Sequence, residues 1–259
     1  MLIDQELPLP LLSLVEDAGL NASAPPQQRW LDGWLMRLSP GKAKRARCIN
    51  ALAPGQWSLP ERLAMAREVY QAAGLPLLVR ITPFTQPGGL GDALAAMGLR
   101  TLDDTRVMVC RQLPAERDRL PAGLSLEPVG PGAFAHAVGG LRGSPLAQRT
   151  AHAERLQNAP VPFRGFVLRE QGEVVACAQF ALEGRLVGLY DVFTANAHRG
   201  RGLARQLCKA MLSLAHAAGA RTGYLQVEGD NEPARRIYTG LGFADAYGYH
   251  YRTEDPTAQ

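Results

Sequence analysis

Residues Leu189 to Leu207 read LYDVFTANAHRGRGLARQL, and this stretch limits the architecture more than any other. An apolar strand pattern, Leu186–Thr194, gives way to the basic loop Arg199-Gly200-Arg201-Gly202-Leu203-Ala204. The loop runs directly into a helix expected over Leu203–Ala218. Its apolar residues Leu203, Leu207, Ala210, Met211, Leu214 and Ala218 recur at helical period, and Gly219 follows as a C′ glycine. Such a strand–loop–helix unit belongs to a mixed α/β fold in which the helix covers a sheet.

The loop has the chemistry of an anion site. The first turn of a helix carries N–H groups with no intrahelical acceptor, at the positive end of the helix dipole. Gly200 and Gly202 remove the β-carbons that would hold a bulky anion off the backbone, while Arg199, Arg201 and Arg205 add charge. Taken alone, the pattern also fits a glycine turn that caps a helix and leaves its arginines solvated. Two nucleotide loops are excluded. A P-loop needs Lys-Ser/Thr after its glycines, where this chain has Ala204-Arg205, and the dinucleotide fingerprint needs a third glycine.

Around this unit the spacing predicts strands over Leu124–Val129 and Thr222–Val227, helices over Gly132–Leu141 and Leu146–Leu156, and a short helix over Pro233–Leu241. Phe166–Arg169 and Val174–Leu182 read as a hairpin turning on Gln171-Gly172, and Tyr247–Arg252 as a last strand. In the first half, strands are expected over Gly33–Leu38, Arg45–Leu52, Leu77–Ile81 and Thr105–Leu113. Helices are expected over Pro60–Ala73 and Leu90–Met97. Pro114–Leu124 (PAERDRLPAGL) reads as a linker.

On these motifs the second half resembles the GNAT superfamily of acyl-CoA-dependent N-acetyltransferases. Arg199–Ala204 is similar to that family's R/Q-x-x-G-x-G/A pyrophosphate loop. Asn231, Ala234 and Tyr238 form N-x-x-A-x-x-x-Y, and Leu241-Gly242-Phe243 is similar to the closing L-G-F. The close resemblance covers about Phe166 to Arg252. It implies a GNAT-like mixed-sheet fold with acetyl-CoA as co-substrate. Val192, Phe193 and Thr194 would pair with the pantetheine arm, and Arg199, Gly200, Arg201, Gly202, Leu203, Ala204 and Arg205 would take the pyrophosphate. Asn231 would bond the pantetheine or phosphate side.

The resemblance makes Tyr238 the general acid toward the leaving thiolate. Chemistry agrees, because a phenol of pKa about 10 stays protonated at neutral pH. The same tyrosine also suits a core position beside Phe243. Asp191, at the end of the strand facing the thioester, is the first candidate for the base or for substrate steering, since an alkyl ammonium must lose a proton before it attacks. A polar residue at a sheet splay explains it equally. Tyr190, Glu183 and a water chain are weaker alternatives. His198 reads as a solvated loop residue, Cys208 as core, and no histidine pair has metal-ligand spacing, so no metal is expected.

Residues 1–117 lack such a loop, yet their order of elements loosely parallels residues 118–259. Leu90–Leu99 is similar to a worn version of the last helix and its L-G-F. A degenerate GNAT-like domain in tandem with the catalytic one is expected, with the division between residues 117 and 118. The basic run Lys42–Arg47 reads as a solvated loop, because no aromatic interleaving accompanies it, and no nucleic-acid partner is expected.

The formal charge of +4 and pI of about 9.0 suit an anionic ligand without requiring one. Cys48, Cys110, Cys177 and Cys208 are scattered with no C-x-x-C pair, which reads as buried free thiols in a reducing compartment. No run is long and apolar enough for a membrane span, and Asp4, Glu6, Glu16 and Asp17 break the N-terminal apolar pattern. A cytoplasmic enzyme is therefore expected, acting on a small-molecule or peptide amine, with a homodimer allowed. The competing reading is a non-catalytic acyl-CoA sensor or regulatory module; a nucleic-acid-binding protein built on a vestigial fold is a third.

Overall fold

The computed structural model describes residues 8–41, 43–116, 120–255 and 257. In chain order the first elements are α1 (Leu9–Ala22), β1 (Gln28–Leu31), β2 (Trp34–Arg37), β3 (Ile49–Ala51), α2 (Leu59–Ala72), β4 (Leu78–Ile81), α3 (Leu90–Ala96) and β5 (Arg100–Cys110). There follow β6 (Leu124–Val129), α4 (Pro131–Leu141), α5 (Leu146–Gln157), β7 (Phe163–Glu170), β8 (Glu173–Glu183) and β9 (Leu186–Thr194). The last are α6 (Leu203–Ala217), β10 (Thr222–Glu228), α7 (Glu232–Thr239) and β11 (Ala244–Thr253).

These elements form two compact units that interleave along the chain. One gathers α1, Val107–Val227 and Asn231–Ala246; the other gathers Ser23–Arg106, Glu228–Asp230 and the segment from Tyr247. The division expected between residues 117 and 118 falls on residues 117–119, which lie outside the described residues, as does Lys42 of the basic run.

In the first unit the strands run in the order β10-β9-β8-β7-β6. β6/β7, β7/β8 and β8/β9 are antiparallel, and β9/β10 is parallel. The β7–β8 turn forms where expected, because Gln171 (φ 50°) and Gly172 (φ 87°) both adopt the left-handed conformation that two-residue hairpins require. α6 covers one face of this sheet. Its Leu203, Leu207, Cys208 and Met211 pack with Leu168, Ala176, Phe180 and Leu189. Each fully buried leucine or methionine there contributes about 1.5–3 kcal/mol. α4 and α5 cover the opposite face through Phe134, Val138 and Leu156, packed on Val167 and Cys177.

The second unit carries the strand order β1-β2-β3-β4-β11 over a core of Trp34, Met36, Ile49, Leu63, Val79 and Leu94. β3 and β4 are parallel. α2 begins at a capping box in which Ser58 and Glu61 satisfy one another's backbone N–H groups.

Three expectations are corrected. The strand expected over Arg45–Leu52 shortens to Ile49–Ala51, because Lys44–Ala46 closes a 3₁₀ turn in which Ala46 N donates to Ala43 O. β5 begins at Arg100 and ends at Cys110, where Thr105–Leu113 was expected. α1 and β1 were not expected at all: Pro8 and Pro10 obscure the helical period, though a proline costs little in a first turn. All four cysteines are free and buried, as expected.

Candidate functional site

The candidate site lies wholly in the first unit, where β9 parts from β10. The parallel register joins Leu186–Leu189 to Thr222–Leu225 and goes no further, while β9 stays paired to β8 as far as Thr194. Among the described residues, the edge of β9 from Asp191 to Thr194 that faces β10 therefore has no strand partner. An open strand edge is a template for any extended amide-bearing ligand. At the fork the Tyr190 and Tyr224 hydroxyls meet at 2.9 Å. A side chain at Gly188 would strike both rings, its Cβ 2.5 Å from Tyr224 and 2.6 Å from Tyr190, so glycine is required there.

β9 also carries a bulge. Phe193 pairs with Cys177 and Tyr190 with Gln179, so Asp191 and Val192 together oppose Ala178 alone. Asp191 absorbs the extra residue at φ 51°. An αL residue in a bulge re-aims its neighbours and sharpens the strand's twist. In consequence Val192 packs toward α6, and Phe193 toward α4 and α5.

The loop after Thr194 closes with a 3₁₀ turn, Asn196–His198, and reaches α6 through Gly200 (φ 77°) and Gly202 (φ 74°). A β-carbon at either glycine would meet nothing within 4 Å, so the left-handed backbone rather than crowding selects glycine. Among the described residues, the backbone N–H groups of Gly200 through Arg205 have no backbone acceptor; the first such bond in α6 runs from Gln206 N to Gly202 O. Gly202 offers no side-chain cap. Six consecutive donors at the positive end of a 15-residue helix thus await a ligand or water. Thr194 Oγ1, at the end of the open β9 edge, is buried without a partner.

The arginines divide their work. Arg201 donates to both Glu170 oxygens, at 2.8 and 2.6 Å, and its Nη1 lies 2.9 Å from His198 Nδ1. The hydrogen bond from Arg201 is the main reason the Glu170 carboxyl sits below its ordinary value. Arg201 thus ties the loop to the end of β7. Arg199 lies over the Phe193 ring, 5.6 Å from its centroid, and Arg205 is exposed.

Tyr238 sits on α7 with its ring against Phe243 at 6.2 Å, in the core under α6. Burial, then the neighbouring Cys208, raises its phenol above the ordinary value, so it remains protonated. Asn231 caps α7, its side-chain oxygen accepting from Ala234 N at 3.2 Å. Cys208 is core, its thiol pushed up to about 12 by burial.

Asp191 has company that no sequence signal foretold. Arg142 Nη1 donates to Oδ1 at 3.0 Å, Gln179 Nε2 donates to Oδ2 at 2.7 Å, and His152 Nε2 lies 3.4 Å from Oδ2. Burial alone would raise this carboxyl. A hydrogen bond from the His152 ring and the charges of Arg142 and Arg155 outweigh it and hold the group well below the usual carboxylate range. Arg142, His152 and Gln179 stand 49, 39 and 12 positions upstream, and only the packing of α4, α5 and β8 gathers them. The other base candidates are also engaged: Tyr190 by Tyr224, and Glu183 Oε1 by Asn21 Nδ2 at 2.8 Å.

Residues 140–243 match the profile of the Acetyltransferase (GNAT) family. The chain is similar to the "Uncharacterized N-acetyltransferase YobR" of Bacillus subtilis (strain 168), at 25% identity over 233 residues, covering 87% of this chain and 91% of YobR. Among solved structures it is similar to a GCN5-related N-acetyltransferase from Kribbella flavida, with a TM-score of 0.69 and 17% identity over 94% of this chain and 95% of that one. It is also similar to a tandem GNAT protein from the clavulanic acid biosynthesis pathway, with a TM-score of 0.62 and 19% identity over 77% of this chain and 70% of that one.

Proposed function

We propose that the chain, whose residues 140–243 match the Acetyltransferase (GNAT) family, is an acyltransferase that moves the acetyl group of acetyl-CoA to a primary amine by direct attack. The observation that carries this reading is the run of unpaired backbone N–H groups from Gly200 to Arg205. A diphosphate satisfies several such donors at once, and the space beside Gly200 and Gly202 is open to it. The free edge of β9 suits the amide-bearing arm of the same co-substrate, and Thr194 Oγ1 is placed to bond it.

When bound, acetyl-CoA supplies an activated thioester. The protein's residues then have separate tasks. The β9 edge aligns the reacting carbonyl, and alignment can supply roughly 7–11 kcal/mol in favourable cases. Tyr238, kept protonated by burial, gives its proton to the leaving sulfur. Asn231 Nδ2 remains a donor toward the co-substrate while its oxygen caps α7. Asp191 is too weakly basic for the proton-acceptor role and serves as a positioning group. We read the second unit as a degenerate GNAT-like domain, which the tandem character of one structural relative supports.

The test is calorimetry with coenzyme A, followed by free-thiol release from acetyl-CoA across a panel of primary amines. Micromolar CoA binding and amine-dependent thiol release are expected. No CoA binding overturns the reading; binding with no release by any amine favours an acyl-CoA sensor.

A further inference from the structure

Resting on the acetyl-transfer reading, we infer that His152 is the residue that takes the proton from the attacking amine, with Asp191 holding its imidazole in the required tautomer. Tyr238 and Val192 belong to the packing beneath α6, on one face of the sheet. Phe193 belongs to the packing beneath α4 and α5, on the other face. His152 on α5 and Arg142 at the end of α4 meet Asp191 from that second side. The proton donor and the Asp191 cluster therefore flank the open edge of β9 from opposite faces. Direct acyl transfer needs that division, because the thiol leaves on one side and the amine arrives on the other.

Within the cluster, the roles follow from chemistry. Arg142 and Gln179 saturate Asp191, and its carboxyl is held far below the range in which it could accept a proton near neutrality. A carboxylate of that kind is a good orienter of an imidazole. It faces His152 Nε2 at 3.4 Å, which favours the Nε2–H tautomer and makes Nδ1 the accepting nitrogen. The Phe134 ring meets the imidazole edge-on, with centroids 6.4 Å apart, and limits its rotation. The His152 side chain keeps 18% of its surface exposed, so an amine or one bridging water can reach it.

Among the described residues, His152 faces Asp191 on β9; Arg142 at the end of α4 and Arg155 on α5 also act on that carboxylate, and Asp191 in turn acts on Cys177 of β8. Burial pushes the Cys177 thiol up to about 12, so it stays neutral. In the step itself, the amine nitrogen bonds the acetyl carbon as the carbon–sulfur bond breaks. The amine proton passes to His152 Nδ1, the Tyr238 proton passes to sulfur, and both residues re-equilibrate with solvent.

Three measurements on the full chain test this. Nitrogen-15 NMR of histidine-labelled protein should show His152 as the neutral Nε2–H tautomer, becoming a tautomer mixture in Asp191→Asn. Acetyl transfer is then compared between the fastest primary alkyl amine of the panel and 2,2,2-trifluoroethylamine, which is largely free base at neutral pH. His152→Gln should lower kcat about 100-fold with the alkyl amine, less with trifluoroethylamine, and leave the CoA Kd unchanged. Added imidazole should restore turnover to His152→Ala.

An Nδ1–H tautomer overturns the inference. So do an unchanged His152→Gln rate, and an equal loss with both amines that imidazole does not rescue. Failure of the acetyl-transfer reading looks different: the unsubstituted protein itself then binds no CoA or releases no thiol.

Discussion

Arg201 holds Glu170 through two parallel hydrogen bonds, 2.8 and 2.6 Å long, which join the glycine loop ahead of α6 to the last residue of β7. The arginine to which the GNAT resemblance gives a phosphate role therefore has its guanidinium occupied. Arg201→Ala is expected to raise the CoA Kd only about threefold, well under the tenfold that corresponds to 1.4 kcal/mol. Glu170→Ala should raise CoA affinity and steepen its salt dependence, because it frees that guanidinium for phosphate. The Glu170 pKa is depressed in the folded state. The pair's support is thus present above the unfolded value near 4.3 and is lost as pH falls through the folded one. Calorimetry at two salt concentrations checks the first pair of outcomes, and thermal melts from pH 6 to 3 check the last.

Gly202→Ala separates backbone strain from ligand exclusion. The open space around the position removes any packing clash, so the stability cost is that of a left-handed alanine, about 1 kcal/mol. The new methyl group stands where an anion would approach the unpaired N–H groups. CoA affinity should fall by about tenfold or more while the melting temperature drops by only a few degrees.

Tyr238→Phe keeps the ring against Phe243 and removes only the hydroxyl. Turnover is expected to fall about 100-fold with the CoA Kd unchanged. Because burial raises the phenol, wild-type activity should show no loss from this group below pH 10, and no basic limb should disappear in the variant. Steady-state kinetics from pH 6 to 9.5 checks both.

Asp191→Asn removes the charge that Arg142 pairs with and that the His152 ring faces. For a side chain 21% exposed, a loss of about 2 kcal/mol at neutral pH is expected, between the values for exposed and buried pairs. The folded pKa lies below the unfolded one, so this contribution is present above about pH 4 and is lost on acidification. The stability gap between wild type and variant should be widest at pH 7 and shrink toward pH 3, as denaturant titrations will report.

Asn231 has two groups to separate. Asn231→Ala should cost about 1 kcal/mol through loss of the α7 cap, whereas Asn231→Asp keeps the accepting oxygen and most of that stability. Both remove the amide donor, so both should weaken CoA binding. A variant pair that differs in stability and agrees in affinity is the expected pattern.

Much of the first unit is legible in the linear chain. β6 and β9 run as expected, α6 begins at Leu203, and the Gln171-Gly172 turn forms where the pattern places it. These features depend on interactions within a few residues: alternation, helical period, and the backbone freedom of glycine. The second unit is less legible. Arg45 and Ala46 carry strand-like spacing yet turn in a 3₁₀ helix, and α1 hides behind its prolines.

The linear order of residues was sufficient to specify a basic glycine loop at the head of an amphipathic helix, since positive φ and unpaired first-turn N–H groups are local consequences of residue type. It was silent about which partners that loop and Asp191 would find. Glu170 reaches Arg201 across 31 positions, and His152 reaches Asp191 across 39, because two sheet faces and the helices on them bring these segments together. The charge state and hydrogen bonding of a carboxylate depend on what packs around it. For Asp191, that packing holds the carboxyl well below the usual carboxylate range.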